Sequence, residues 1–242
     1  MEAPVKVLDL FSGLEGWSRA FRERGHHVTT LDLDPRFGAD IQADILTVNG
    51  LGKFDAILAS PPCETFSVMT IGHYWTGGVG AYEPKNDKSR LGLAIMNKTF
   101  ELIDAAKPRF YVIENPRGVM RKVAPRPPTT TTWYCRWGMP YAKPTDLWTN
   151  ISGEFPACKN NNKDHLPAPR GSMTGIQGVG CDDNAVRHDY QPAGYWAKKN
   201  AGVLGNGVQM DASPKRAALR AVIPYRLSLA VCIAAENGGR LQ

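Results

Sequence analysis

Cys63, set in Ser60-Pro61-Pro62-Cys63-Glu64, and Glu114, set in Glu114-Asn115-Pro116, are the residues of this chain with the clearest chemical potential. A thiolate is a strong nucleophile, and a carboxyl group beside it can supply or accept a proton. Each closes an apolar, β-rich run: residues 54–59 (FDAILA) precede the first motif and residues 109–113 (RFYVI) the second. Two prolines fix φ twice and remove two backbone donors, so the chain must leave the first strand stiffly. Open α/β sheets bind ligands just past the carboxyl ends of their strands, which is where both side chains would stand. Taken singly, a cysteine such as Cys63 is usually a small buried apolar residue, and Glu114 equally suits a solvated strand end.

The elements that must position this pair alternate between strand and helix. Residues 5–10 (VKVLDL) read as a strand, Phe11-Ser12-Gly13-Leu14-Glu15-Gly16 as a turn, and residues 17–24 as a helix closed by Gly25. Strand, glycine turn and helix form the first half of a nucleotide-binding βαβ unit, although Gly-x-x-Gly also suits a plain tight turn. A second strand, residues 27–34, ends in acids. Asp32 lies roughly 20 residues past the glycine turn, the spacing at which such folds grip ribose hydroxyls. Ala43-Asp44-Ile45 reads as a third strand end, whose acid could meet an adenine amine or cap the next turn. Residues 65–89 show neither period and read as a long loop serving as a lid. Residues 90–107 form an amphipathic helix stopped by Pro108. Such alternation predicts a parallel, doubly wound sheet.

With 242 residues, 43% apolar and 21% charged, the chain suits one large domain with a modest appendage. Its apolar runs fall far short of a membrane span and no signal-type apolar segment opens it, so the expectation is a cytoplasmic protein without a membrane partner. Five cysteines, an odd number without a ladder, argue against a disulfide framework. A net charge of +6 and a pI near 9.1 suit a polyanionic partner without requiring one. Residues 125–132 (PRPPTTTT) are a turn-rich break, with strand-like pieces at 133–138 and 146–149 after it. Residues 150–213 shift to Gly, Pro, Asn, Lys and Arg and read as a loop-rich appendage. Cys158 and His165 share their spacing with Cys181 and His188, but six intervening residues is not a familiar zinc spacing, and no metal is expected. Residues 225–236 form an apolar C-terminal helix.

Four features in order resemble the DNA cytosine-5 methyltransferase family across residues 5–150. They are Asp9-Leu10-Phe11-Ser12-Gly13-Leu14-Glu15-Gly16, the acids Asp32 and Asp44, Pro62-Cys63 with Phe66-Ser67, and Glu114-Asn115. The resemblance implies an α/β fold: a doubly wound, mostly parallel sheet of the S-adenosylmethionine-dependent methyltransferase (Rossmann-like) type with a small loop-rich appendage. It divides the chain into a cofactor-binding and catalytic part (1–150), a target-recognition region (151–215) and a helix returning to the catalytic part (216–242). An S-adenosylmethionine site is implied at Phe11, Ser12, Gly13, Leu14, Gly16, Asp32, Leu33, Asp44, Ile45 and Pro61. Cys63 would add to C6 of a cytosine flipped out of duplex DNA, Glu114 would contact and protonate N3, and Asn115 would orient the base.

Residues 65–89 would close over the base, with Ser67 and Arg90 toward the DNA, while Arg170 and Gln177 would read base edges. Pro116 stands where relatives commonly carry an apolar residue. Lys143 is the one charge in Pro140-Tyr141-Ala142-Lys143-Pro144-Thr145, which aligns with the family's basic motif, and it inherits that catalytic role. Gly205-Asn206-Gly207-Val208 matches the letters of the last cofactor motif, whereas Arg220-Ala221-Val222 matches its context before an apolar helix and is assigned to the cofactor. Arg220 could there pair with a carboxylated donor, carboxy-S-adenosylmethionine, giving 5-carboxymethylcytosine, or simply bind phosphate. A monomer in a bacterial or phage-infected cell is expected. An RNA cytosine-5 methyltransferase and a silent nucleic-acid-binding relative remain open alternatives.

Overall fold

The computed structural model of the chain describes residues 3–78, 80–139, 141–158 and 222–241. Its strands are β1 (Lys6–Leu10), β2 (His27–Asp32), β3 (Ile41–Gln42), β4 (Ala56–Ala59), β5 (Trp75–Thr76), β6 (Glu83–Pro84), β7 (Phe110–Pro116), β8 (Thr130–Trp133) and β9 (Pro144–Thr149). The helices are α1 (Ser18–Glu23), α2 (Ile71–Tyr74), α3 (Asp87–Ala106), α4 (Met120–Val123) and α5 (Tyr225–Glu236).

β1, β4 and β7 carry apolar residues at consecutive positions, and successive side chains on a strand point to opposite faces. Val7, Leu58 and Val112 accordingly enter one core, and Leu8, Ile57 and Ile113 enter the other. A sheet buried on both faces follows. Its seven strands run in the order β3-β2-β1-β4-β7-β9-β8, parallel from β3 to β7, with β9 antiparallel to β7 and β8 antiparallel to β9. β5 and β6 pair as a separate hairpin. The order of travel reverses between β1 and β4, so a crevice opens between their carboxyl ends.

α1 and α5 cover one face, contributing Phe21, Leu227 and Val231, and Ser228 Oγ donates to the Trp17 carbonyl at 2.6 Å to bind the two helices together. α3 covers the other face with the stripe Met96, Phe100 and Ile103. It starts three residues before the expected position because Asn86 and Ser89 form a reciprocal capping box, and it ends with Lys107 in a left-handed conformation ahead of Pro108.

Two stretches differ from the sequence reading. Residues 65–89 are folded: 3-10 turns at Glu64–Phe66 and Val68–Thr70 lead into α2 and the β5–β6 hairpin. Elements this short leave no period to read. Trp75 stacks on Phe66 with centroids 5.8 Å apart and donates Nε1–H to the Thr65 carbonyl at 2.6 Å, which ties the hairpin to the turn after Cys63. Residues 130–132, read as part of a break, form edge strand β8, where β-branched threonines pair with β9, whereas residues 134–137 make a 3-10 turn. Ile151 and Phe155 pack in the core and Ser152 bridges to Arg240, so the chain just past β9 stays on the main body. The remainder of the expected target-recognition region, from residue 159 on, lies outside the described residues. Among the described residues no helix is long and apolar enough to cross a membrane.

Candidate active site

The exit of β1 curls tightly. Phe11, Gly13 and Glu15 take positive φ values of 60°, 48° and 56°. Only glycine adopts that region without strain, so the loop must be held from outside. Ser12 N–H donates to the Leu31 carbonyl at 3.2 Å, and Gly13 N–H donates to Asp32 Oδ2 at 2.9 Å. Asp32 Oδ1 takes Asp34 N–H at 2.9 Å, so this carboxylate fastens the loop to the end of β2. Asp44 caps the 3-10 turn Ile45–Thr47 by accepting Leu46 N–H at 2.9 Å; Ile45 is buried and Leu33 is 61% exposed. β3 stops at Gln42, so Asp44 follows the strand rather than ending it. A Cβ on Gly16 would come within 2.6 Å of Ile223 N, and that close approach brings Ile223 onto the loop. Beneath it Asp9 is buried, with Oδ2 accepting Ser18 Oγ–H at 2.6 Å and Oδ1 unpartnered. Burial pushes the Asp9 carboxyl up to about 7 despite the Ser18 bond, and the nearby Glu15 and Asp32 charges push the same way.

The exits of β4 and β7 are stapled to each other. Trp17 Nε1–H donates to Ser60 Oγ at 3.0 Å, tying the loop after β1 to the start of the proline turn. Asn115 is fully buried and donates Nδ2–H to the Pro61 carbonyl at 2.9 Å; its Oδ1 has no donor among the described residues. Val119 N–H donates to the Phe66 carbonyl at 2.7 Å, and a Cβ on Gly118 would sit 2.2 Å from that same oxygen. The backbone after Cys63 and the backbone after Glu114 are therefore in contact.

Cys63 is half-buried at the head of the Glu64–Phe66 turn. Burial raises its thiol pKa above the ordinary range, the Lys143 ammonium opposes that shift, and the Glu114 charge adds to it. Cys63, Glu114 and Lys143 thus share one electrostatic neighbourhood. Glu114 is buried, as is Lys143. Glu114 Oε1 accepts Tyr134 OH at 3.0 Å and Thr145 Oγ1, and Lys143 Nζ stands 3.9 Å from it while donating to the Tyr134 hydroxyl oxygen at 3.2 Å. Tyr134 and Thr145 were not among the residues expected from sequence. Thr145 could have been found, because it lies two positions after Lys143 on an extended segment and so faces the same side. Nothing local marks Tyr134.

Of the residues assigned to DNA, Ser67 follows the Cys63 turn, whereas the Arg90 guanidinium pairs with exposed Asp87 at 2.8 Å on the first turns of α3. Arg170, Gln177, Arg220 and Ala221 lie outside the described residues, as do His165, Cys181 and His188. Any pairing of Arg220 with a carboxylated donor belongs with them. One group of metal-ligand types is present among the described residues, His26, Cys232 and Glu236. Val5 N–H donates to His26 Nδ1 at 3.2 Å, which leaves the ring proton on Nε2, 2.9 Å from Glu236. Arg24 forks onto the same carboxylate at 2.8 and 2.6 Å, and burial pushes Cys232 up to about 12. This set is a clamp joining α5 to the start of β2, with its lone pairs already committed.

A sheet ordered β3-β2-β1-β4-β7 with a final antiparallel pair, a glycine turn after β1 and acids after β2 and β3 define a doubly wound methyltransferase fold of the Rossmann-like type. No family model matches the chain. It is 33% identical over 159 residues, 63% of its own length and 73% of the relative's, to the "Probable DNA (cytosine-5)-methyltransferase" of Frog virus 3 (isolate Goorha). Among solved structures it resembles a protein described as "putative DNA modification methyltransferase encoded within prophage Cp-another structure (E.coli)", at 17% identity and a TM-score of 0.40 over 60% of this chain. It spans 46% of that protein's length. The chain belongs to the DNA (cytosine-5)-methyltransferase family.

Proposed function

We propose that the chain transfers a methyl group from S-adenosylmethionine to C5 of cytosine in duplex DNA, through a covalent bond between Cys63 and C6 of a flipped base. The observation that carries this reading is the thiol of Cys63 and the carboxyl of Glu114 at the exits of adjacent parallel strands, with the Lys143 ammonium acting on both.

The residues of the β1 crevice fit the cofactor. Glu15 and Asp32 put negative charge at the loop, suiting a sulfonium and an ammonium group, and Leu33 offers exposed apolar surface to an aromatic ring. Asp44 and Ile45 would hold the adenine edge, and Val222, beside the Ile223 that meets Gly16, would close that side. When bound, S-adenosylmethionine supplies an electrophilic methyl group.

Cytosine C5 is a poor nucleophile until electron density is fed into the ring. Cys63 would do this as the thiolate, its proton released to solvent, by bonding its sulfur to C6 while Glu114 delivers a proton to N3, so that charge does not accumulate on the base. Its buried thiol is held protonated at rest, and two local features favour the thiolate: the Lys143 charge, and a Glu114 that is neutral when it acts as the acid. After transfer, solvent water takes the C5 proton, the C6–S bond breaks to release the Cys63 thiolate, and N3 returns its proton to Glu114. Asn115 would fix the Pro61–Cys63 turn through its bond to the Pro61 carbonyl.

The test is nucleoside mass spectrometry on duplex DNA treated with the chain and with Cys63→Ala. 5-Methylcytosine that disappears in the variant is expected. Unmodified DNA alongside modified RNA would move the substrate to RNA. Failure on both, with no covalent complex on a fluorinated-cytosine duplex, would leave a silent binder.

A further inference from the structure

The two oxygens of Glu114 are treated unequally. Oε1 accepts from Tyr134 OH at 3.0 Å and from Thr145 Oγ1, while Oε2 accepts no hydrogen bond from the described residues. The direction of the longer bond chain is fixed by donor chemistry. An ammonium only donates, so the Tyr134 oxygen accepts from Lys143 at 3.2 Å and gives its single proton to Glu114. Burial, with the charge of Glu114 second, holds the Tyr134 phenol well above its ordinary value, so that proton stays in place at working pH.

We infer that Tyr134 is a positioning residue for the cytosine reaction: its hydroxyl, oriented by Lys143, pins Oε1 of Glu114 and so keeps the transferable proton on Oε2. A carboxyl oxygen that already accepts two donors is a poor home for a proton, and the second oxygen takes it instead. The proton is then carried by the oxygen free to meet a base. Lys143 stands 3.9 Å from Oε1, beyond a good hydrogen bond, so its contact with Glu114 runs through the phenol. The other ionisable groups acting on Glu114 are Cys63, from the exit of β4, and Asp146 on β9, which is paired with Arg121 of α4 at 3.0 Å and is also acted on by Arg117. Neither acid nor thiol competes as a donor to Oε1. The reaction in this inference rests on the methyltransferase reading; the hold of Tyr134 on Glu114 does not.

Tyr134→Phe removes one oxygen and keeps the buried ring. The carboxyl of Glu114, labelled with 13C and assigned with Glu114→Gln, should titrate about one pH unit higher in Tyr134→Phe, because its carboxylate loses a donor. In the full chain with duplex DNA, kcat should fall about tenfold or more with both KM values within about twofold, and the alkaline limb of the kcat profile should move up with the Glu114 titration. Site-specific ring-fluorinated tyrosine at 134, a stronger donor on the same scaffold, should move the titration the opposite way. An unchanged Glu114 titration in both variants would overturn the inference whatever happened to activity. So would a shifted titration with kcat and its pH limb unmoved. A shifted titration in a chain that modifies no cytosine would overturn the methyltransferase reading and leave the Tyr134 contact standing.

Discussion

Replacing Asp9 by Asn should stabilise the protein at alkaline pH and leave it unchanged near pH 4. Asp9 sits on β1 with 1% exposure, one oxygen bonded to Ser18 and the other unpartnered. Its folded-state carboxyl titrates near 7 against an ordinary value of 3.8, and burial is the main cause. Between those values the unfolded chain releases this proton while the native chain keeps it. Native stability therefore falls by about 1.4 kcal/mol per pH unit across the window and is lower by a constant amount above it. The full gap from 3.8 to about 7 corresponds to about 4 kcal/mol. Asn keeps the Ser18 bond and carries no charge at any pH, so the variant escapes the penalty. Urea unfolding of both chains at pH 4.5 and pH 8 measures this, with the variant's advantage growing by several kcal/mol between the two. An advantage that is the same at both pH values, or a variant less stable at pH 8, would refute the reasoning.

Two further substitutions probe the joints of the structure. Gly118→Ala should cost about 2 kcal/mol and lower activity, because its Cβ would stand 2.2 Å from the Phe66 carbonyl and push the two strand exits apart; denaturant melts and the methylation assay read both effects. Glu236→Gln should cost about 1 kcal/mol at pH 7, a modest value because its Arg24 partner is 41% exposed. Arg24, and after it His26, hold the Glu236 carboxyl below its ordinary 4.5 against the opposing effect of burial, so this contribution is present above pH 4.5 and lost as the pH drops through the lower folded value. Urea midpoints of wild type and variant should therefore converge in acid.

Much of the site was legible because its pieces are local in the chain. An apolar run followed by two prolines and a cysteine, or by Glu-Asn-Pro, announces a strand and what hangs from its end. Parallel pairing of β4 with β7 then brings the two exits together, and β-α alternation is enough to predict that pairing. The same logic put Asp32 at the end of β2 as an acid for ribose hydroxyls; in the structure its carboxylate accepts Gly13 N–H at 2.9 Å. The flap after Cys63 was illegible for the opposite reason: α2 has four residues and β5 and β6 two each, and its order comes from Trp75 and Phe66 meeting across the loop. Val222 was assigned to the cofactor by its context before the last helix; the contact the structure shows there is made by its neighbour Ile223, against Gly16.

Tyr134 shows where sequence reasoning stops. It lies in a 3-10 turn twenty positions beyond Glu114, in a segment with no motif, and it reaches the carboxylate because β9 folds back antiparallel beside β7. That antiparallel strand also delivers Thr145 to the same oxygen, and the residue just before it, Lys143, to the Tyr134 hydroxyl. Two parallel strand exits hold the thiol and the acid, while the returning hairpin sets the charge and proton balance between them. The division has a physical reason. A strand exit can place one side chain at the crevice, but a buried carboxylate needs several donors to offset its desolvation, and a neighbouring hairpin is the nearest source of them. Substitutions on the hairpin should consequently change proton affinities and rates before they change binding, whereas substitutions in the exits remove the chemistry outright.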